Sequence, residues 1–187
     1  MLLRFFSFFT PAALLTHLGF LVGWVRPEKR FWRVAASLLL MLCLVTCPIT
    51  NAQALSYNKE DLIDADFSGK DLTDSSFTKA LLRRTNFSGA NLSGVSFFGA
   101  NLEDANLEGA NLSYATLDSA RLVDANLTNA VLEGAFAFNA KFNRATITGA
   151  DFTDVLMRTD QQEILCAIAD GINPTTGRAT RDSLDCY

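Results

Sequence analysis

Ala105-Asn106-Leu107-Glu108-Gly109-Ala110-Asn111-Leu112-Ser113-Tyr114 states one five-residue pattern twice: a small residue, an amide, a leucine and two variable positions. Downstream, the leucine position recurs at Leu117, Leu122, Leu127 and Leu132. Upstream it runs through Leu102, Phe97, Leu92, Phe87, Leu82, Phe77, Leu72 and Phe67 to Leu62. Ala137 interrupts the large residues, and Phe142, Ile147 and Phe152 resume the same frame, so nineteen centres lie between positions 62 and 152. Two residues before nearly every centre sits a small residue, as at Ala65, Ala80, Ala90, Ala100 and onward in fives to Ala150. Self-similarity at a fixed short period is the mark of a repeat protein.

A period of five fits neither regular element. Five helical residues advance about 500°, so successive centres would step about 140° round the axis and form no apolar stripe. In a straight strand, side chains alternate, and an odd period would send Leu62 and Phe67 to opposite faces. A chain that turns a corner after every unit removes the conflict. Each centre and the small residue before it then point inward, the residues flanking the centre point outward, and successive coils stack over one core. Alanine beside the corner leaves room for the next Leu or Phe. Glycine at the last position of units, as at Gly69, Gly89, Gly99, Gly109 and Gly149, eases the bend.

Units such as Ala90-Asn91-Leu92-Ser93-Gly94 and Ala105-Asn106-Leu107-Glu108-Gly109 resemble the A(D/N)LXX unit of pentapeptide repeat proteins. The resemblance covers roughly residues 60 to 157. It implies an all-β solenoid, a right-handed quadrilateral β-helix with four units per coil, and here about 4.75 coils in a rod about 23 Å tall at the ~4.8 Å inter-strand spacing.

Residues 1–54 are a different kind of sequence. Two apolar runs, Phe5 to Val25 and Val34 to Val45, flank the basic cluster Arg26, Lys29, Arg30 and Arg33, and the second leads to Ala52-Gln53-Ala54, a signal-peptidase type of site. This segment is read as a leader cleaved after Ala54. Phe5 to Val25 is about long enough to span a membrane, so a two-pass anchor is the competing reading, as is a translation start near Val25. Leu44-Val45-Thr46-Cys47 also touches on a lipoprotein signal with Cys47 acylated, although Thr fits poorly before the cysteine.

Without the leader, residues 55–187 carry 11 Lys and Arg against 19 Asp and Glu, a net charge of −8. Such a surface repels nucleic-acid phosphate, and membrane contact is expected only through the leader. The family resemblance brings in a branch that mimics DNA to regulate topoisomerases, but that branch is cytoplasmic and the leader argues against it. Of four cysteines, Cys43 and Cys47 lie in the leader, leaving Cys166 and Cys186. In an exported domain two cysteines most simply form a disulfide, closing a loop worth about 3 kcal/mol. A redox-active pair or a metal site are the rivals.

Residues 159–187 read as a cap on the repeat of 55–158. Asp160 to Ala169 is expected to be a short helix, with Thr159 as N-cap, Gln162 in a capping-box position and Gly171 beyond its end. Ile164, Leu165, Ile168 and Cys166 are expected to cover the last coil, because an open end exposes core and unpaired edges. The run Cys166-Ala167-Ile168-Ala169-Asp170-Gly171-Ile172-Asn173-Pro174, followed by Thr176-Gly177-Arg178 and Cys186, resembles the tail of lumenal pentapeptide proteins of cyanobacteria and chloroplasts. It implies the thylakoid lumen or the periplasm.

The chain's one histidine, His17, lies in the leader, which removes histidine-based acid–base chemistry and His-ligated zinc from the repeat. No cofactor and no catalytic residue is expected. Glu60, Asp61, Asp64, Asp66, Asp71 and Asp74 crowd the first units; spacing of two and three is what outward positions give automatically, with an oxygen-ligated cation such as calcium as the alternative. Read at twenty residues per coil, Asp64, Arg84, Asp104, Asp124 and Arg144 form one vertical column, and Asn86, Asn106 and Asn126 another. Both are structural, the first through charge register and the second as an amide ladder.

One face breaks the pattern. In Val95-Ser96-Phe97-Phe98-Gly99 and Ala135-Phe136-Ala137-Phe138-Asn139, the residues Phe98, Phe136 and Phe138 hold outward positions, with Leu156 above them. Exposed aromatics on a rigid face suggest a protein-partner patch. The alternative is a packing repair, in which Phe136 or Phe138 swings inward to fill the space left by Ala137. The expected molecule is a non-catalytic scaffold, monomeric or weakly dimeric, with an unknown protein partner; a DNA mimic and a cation-binding or redox-sensing lumenal protein are the alternatives.

Overall fold

The computed structural model of the protein describes residues 55–186, and the leader reading of residues 1–54 lies outside them. From Ser56↔Ser76 to Phe136↔Leu156 the chain pairs with itself in parallel at a constant interval of twenty residues. Each pairing uses two backbone bonds: Leu62 N–H donates to Leu81 C=O and Leu81 N–H to Glu60 C=O, both at 2.9 Å. The twenty-residue interval holds four units of five, so each residue stands over its equivalent in the next coil.

Most corners between units are type II turns; Asp74 and Asn139 are the corner residues without the positive φ. Ala65 N–H donates to Leu62 C=O at 3.1 Å, and Asp64, third in that turn, has φ 60. That conformation suits Gly109, at φ 63, yet Lys79, Arg84 and Tyr114 adopt it at φ 58, 55 and 59. An L-residue pays about 1–2 kcal/mol there. The stacked ladder offsets the cost, since the same residues donate their N–H groups to the coil above, Arg84 to Glu103 C=O and Tyr114 to Glu133 C=O. Because two of every five residues lie in a turn, pairing never extends beyond single bridges. Among the described residues the repeat holds isolated bridges in place of extended strands, and the named elements are the helices α1, Thr159–Cys166, in the expected cap, and α2, Thr180–Ser183.

The centres line the interior. Phe77, Leu82, Phe87, Leu92, Phe97, Leu102, Leu107 and Leu112 are wholly buried, as are Ala105 and Ala110 at the small position. Thr85 takes an alanine place and satisfies its hydroxyl by donating to Leu62 C=O at 2.9 Å. Tyr57, Phe77 and Phe97 stack along one face, with ring centroids 4.8 and 5.2 Å apart, and Phe67 stacks on Phe87 on the opposite face at 5.2 Å. Tyr57 and Met157 fall in the same frame, pack against the core and extend the repeat by one unit at each end.

Ala137 does not draw in its neighbours. Phe136 and Phe138 are 49% and 58% exposed, so the packing-repair expectation is overturned. In the same coil, buried Phe142 and Phe152, on opposite faces, meet edge to face at 6.2 Å.

The cap differs from its sequence reading in detail. Arg158, at φ −78 and ψ 146, holds the N-cap position without a side-chain bond, and Thr159 is already helical. Arg158 still belongs to the extended backbone of the last unit, and its carbonyl accepts from Gln161 and Gln162. The Gln162 side chain reaches instead to Leu184 C=O at 2.6 Å. The helix ends at Cys166, short of Ala169; Leu165 is buried, whereas Ile164 and Ile168 face solvent. Beyond it, Asp170 C=O accepts from Gly149 N–H, Ile172 pairs antiparallel with Ala179, and Ser183 Oγ accepts from Phe152 N–H at 2.9 Å. The tail thus takes over hydrogen bonds that a further coil would otherwise supply. Cys166 and Cys186 are joined through their sulfurs, with Cα atoms 5.6 Å apart.

Candidate functional site: the aromatic face

The face built on centres Tyr57, Phe77, Phe97, Leu117, Ala137 and Met157 presents two outward columns. Before the centres run Ser96, Thr116, Phe136 and Leu156; after them run Phe98, Asp118, Phe138 and Arg158. Bridges Thr116↔Phe136 and Phe136↔Leu156 set these side chains in vertical register, about 4.8 Å from coil to coil. Phe98, Phe136, Phe138 and Leu156 are all at least 40% exposed. They do not form one continuous patch: Phe136, Phe138 and Leu156 are neighbours, while Phe98 stands two coils below Phe138 with Asp118 between. Asp118 is held by Asn139, whose backbone N–H and side-chain amide donate to Oδ1 at 2.9 and 3.2 Å. At the upper end a depression opens among Phe138, Met157, Arg158, Thr159 and Asp160.

The other faces are structural. In the acid–base column Arg84 binds Asp64 through Nε and NH2, both at 2.7 Å, and Arg144 Nε binds Asp124 at 2.7 Å. The Arg84 hydrogen bond lowers the Asp64 carboxyl below its ordinary value, and Arg144 does the same for Asp124. Asp104, next to Arg84 in the column, forms no ion pair among the described residues. Asn126 Nδ2 donates to Asn106 Oδ1 at 3.1 Å, and Asn106 Nδ2 to Asn86 Oδ1 at 3.4 Å, an amide ladder. In the acidic first units, Asp61, Asp66 and Asp71 accept from the backbone N–H groups of Ile63, Ser68 and Thr73. Among the described residues no group of three His, Cys, Asp or Glu is placed to hold a metal ion.

Two arrangements escaped the sequence reading. Arg178 NH1 donates to Glu133 and to wholly buried Asp151, each at 3.0 Å. Burial alone would raise the Asp151 carboxyl, but hydrogen bonds from Thr153 and Thr176 and the Arg178 charge outweigh it and leave it lowered. Asn173 is also wholly buried, its amide donating to the carbonyls of Asn129, Ala130 and Gly149 and its oxygen accepting from Thr175 and Thr176. Both fasten the cap to coils tens of residues upstream, a separation that carries no local signal.

The family model for pentapeptide repeats matches residues 61–97, 90–129 and 120–158 in 8 copies, just over half of the chain. The chain belongs to the pentapeptide repeat family. It is similar to the crystal structure of a pentapeptide repeat protein from the Arabidopsis thaliana thylakoid lumen, with 49% identity and a TM-score of 0.69 over 70% of this chain and 91% of that one. Two curated Arabidopsis thaliana proteins are also similar. Thylakoid lumenal 15 kDa protein 1 is 62% identical over 45 residues, and thylakoid lumenal protein TL20.3 is 50% identical over 42. The matched segments span 24% and 22% of this chain but only 20% and 15% of those relatives.

Proposed function

We propose that this pentapeptide repeat protein is a non-catalytic interaction scaffold of the thylakoid lumen, a right-handed four-sided β-helix that engages a protein partner through the aromatic face. The observation that carries the reading is the exposure of Phe136, Phe138 and Leu156 side by side, where the exposed apolar residues of the other faces, Leu81 and Tyr114, stand singly in their columns. Twenty-residue stacking supports four sides, and likeness to lumenal relatives supports the lumen over the periplasm. The acid–base column weighs against DNA mimicry, because Arg84 and Arg144 neutralise Asp64 and Asp124 where a phosphate mimic needs uninterrupted negative charge. The test is affinity capture from isolated thylakoid lumen with the wild-type protein and with Phe136→Ser/Phe138→Ser. A lumenal protein retained by the first and lost by the second is the expected result; identical recovery with both refutes the assignment of the face.

A further inference from the structure

We infer that the occupant of the aromatic face is a second copy of this chain, laid antiparallel so that Phe138 meets its own equivalent across a two-fold axis perpendicular to the rod. The inference rests on the reading of this face as the interaction face and names its partner. It is carried by the pattern of charge. From Ser96 to Arg158, the outward and corner positions of the face are apolar, glycine, hydroxyl or amide residues except at Asp118 and Arg158. These two are opposite in sign, and they sit in one column, one coil below and one coil above Phe138.

Two rods facing each other with such an axis keep each column on its own side and reverse its order. Asp118 of one copy then faces Arg158 of the other, twice over, while Phe138 and Phe136 each meet their equivalents and Leu156 meets Thr116. This is a self-complementary surface, an apolar centre closed above and below by opposite charges, as an isologous interface requires. Asp118 has its Oδ1 engaged by Asn139, leaving Oδ2 for the second copy. Arg158 uses Nε for Asp160 at 3.0 Å and keeps its remaining donors. Phe98, two coils below Phe138, is carried one coil beyond Arg158, past the depression lined by Phe138, Met157, Arg158, Thr159 and Asp160. A parallel arrangement would instead set Asp118 and Arg158 level with their own equivalents, with no cross-pairing.

The association is weak. A half-exposed phenylalanine offers about 100 Å², so four such side chains bring about 400 Å² per copy, roughly half of a standard interface. The net charge of −8 on residues 55–187 also opposes approach, though salt at 0.15 M confines that repulsion to about 8 Å. Dimers are therefore expected at protein concentrations on the order of 100 µM.

The test is sedimentation equilibrium of protein purified from cells expressing the full chain, at 0.15 M salt and up to about 1 mM protein. Asp118→Arg and Arg158→Asp should each weaken dimerisation at least tenfold by opposing like charges, and the doubly exchanged protein should recover to within about threefold of wild type. Phe138→Ser should abolish the dimer, whereas Glu108→Arg, the same charge change on the opposite face, should leave it intact. A protein monomeric at 1 mM, or a dimer that the charge exchange neither breaks nor restores, overturns the inference. A monomer that still captures another lumenal protein through Phe138 overturns self-pairing while preserving the scaffold function; a dimer unaffected by Phe138→Ser also overturns self-pairing through this face, and the scaffold function then stands or falls with the capture experiment.

Discussion

Asn173→Ala isolates the step by which the tail takes over from the repeat. The side chain is wholly buried, with its amide 2.8 Å from Gly149 C=O, 3.1 Å from Ala130 C=O and 3.2 Å from Asn129 C=O, and its oxygen 2.9 and 3.0 Å from the N–H groups of Thr175 and Thr176. Not all five bonds count equally. Ala130 C=O keeps Asp151 N–H at 2.9 Å, and exposed Thr175 exchanges its bond for water. Buried Gly149 C=O loses its partner outright, at about 1–3 kcal/mol, and the bonds to Asn129 and Thr176 add about 0.5–1.5 kcal/mol each. The expected loss is about 3 kcal/mol, or a fall of about 1.5 M in the urea midpoint for a typical slope. Asn173→Asp should cost more at neutral pH, because it aims a carboxylate at three carbonyl oxygens. Urea unfolding followed by circular dichroism gives the midpoint, and hydrogen exchange at Thr180 and Ser183 shows whether the tail opens first. An Asn173→Ala protein within about 0.5 kcal/mol of wild type refutes the buried amide as the fastening.

Leu107→Asp buries a charge in the middle of the core and should abolish folding, whereas Glu108→Ala, one position outward, should shift stability by less than about 0.5 kcal/mol; equal denaturation midpoints would contradict the inward assignment of the centres. Thiol titration of the native protein should find Cys166 and Cys186 unreactive, and reduction should lower stability by about 3 kcal/mol while most of the repeat signal persists, because coils draw stability from their neighbours. For pH, Asp64, Asp66, Asp124 and Asp151 all have lowered carboxyls in the folded protein. Their contribution is complete above the unfolded Asp value of about 3.9 and is lost as pH falls through the lower folded values, so the melting temperature should drop below about pH 4 and Asp151→Asn should reduce that drop.

The interior was legible because it depends on one position in five. Leu107 and Ala105 determine where the chain turns, whatever Glu108 is, so the burial of the centres follows from the frame alone. Tyr57 and Met157 share that frame, but Tyr and Met depart from the Leu/Phe alphabet that marks the other centres. The turn conformation was legible only where glycine marks it: Arg84 and Tyr114 adopt the same positive φ because the coils above and below leave the backbone no alternative. The cap was legible as an element but not in its bonds. Thr159 and Gln162 match a capping box in sequence, yet Gln162 is drawn to Leu184 C=O, twenty-two residues away. Arg178 and Asn173 likewise act on partners that only folding brings near.

The repeat also constrains where function can reside. Backbone pairing is nearly the same on all four faces, and the centres are hidden, so one face differs from another only in its outward residues. On the other three faces, outward residues bond up the column at Asn106–Asn126, Asn91–Asn111 and Asp124–Arg144, and the exposed apolar residues Leu81 and Tyr114 stand singly. On the fourth, a phenylalanine above a threonine and below a leucine makes no such bond, and a fixed backbone prevents these side chains from turning inward. Their solvation remains uncompensated until another surface covers them. A rod assembled by a rule that satisfies nearly every position internally therefore directs attention to the few positions where the rule is broken, and Phe136 and Phe138 are the pair whose exposure the fold itself does nothing to relieve.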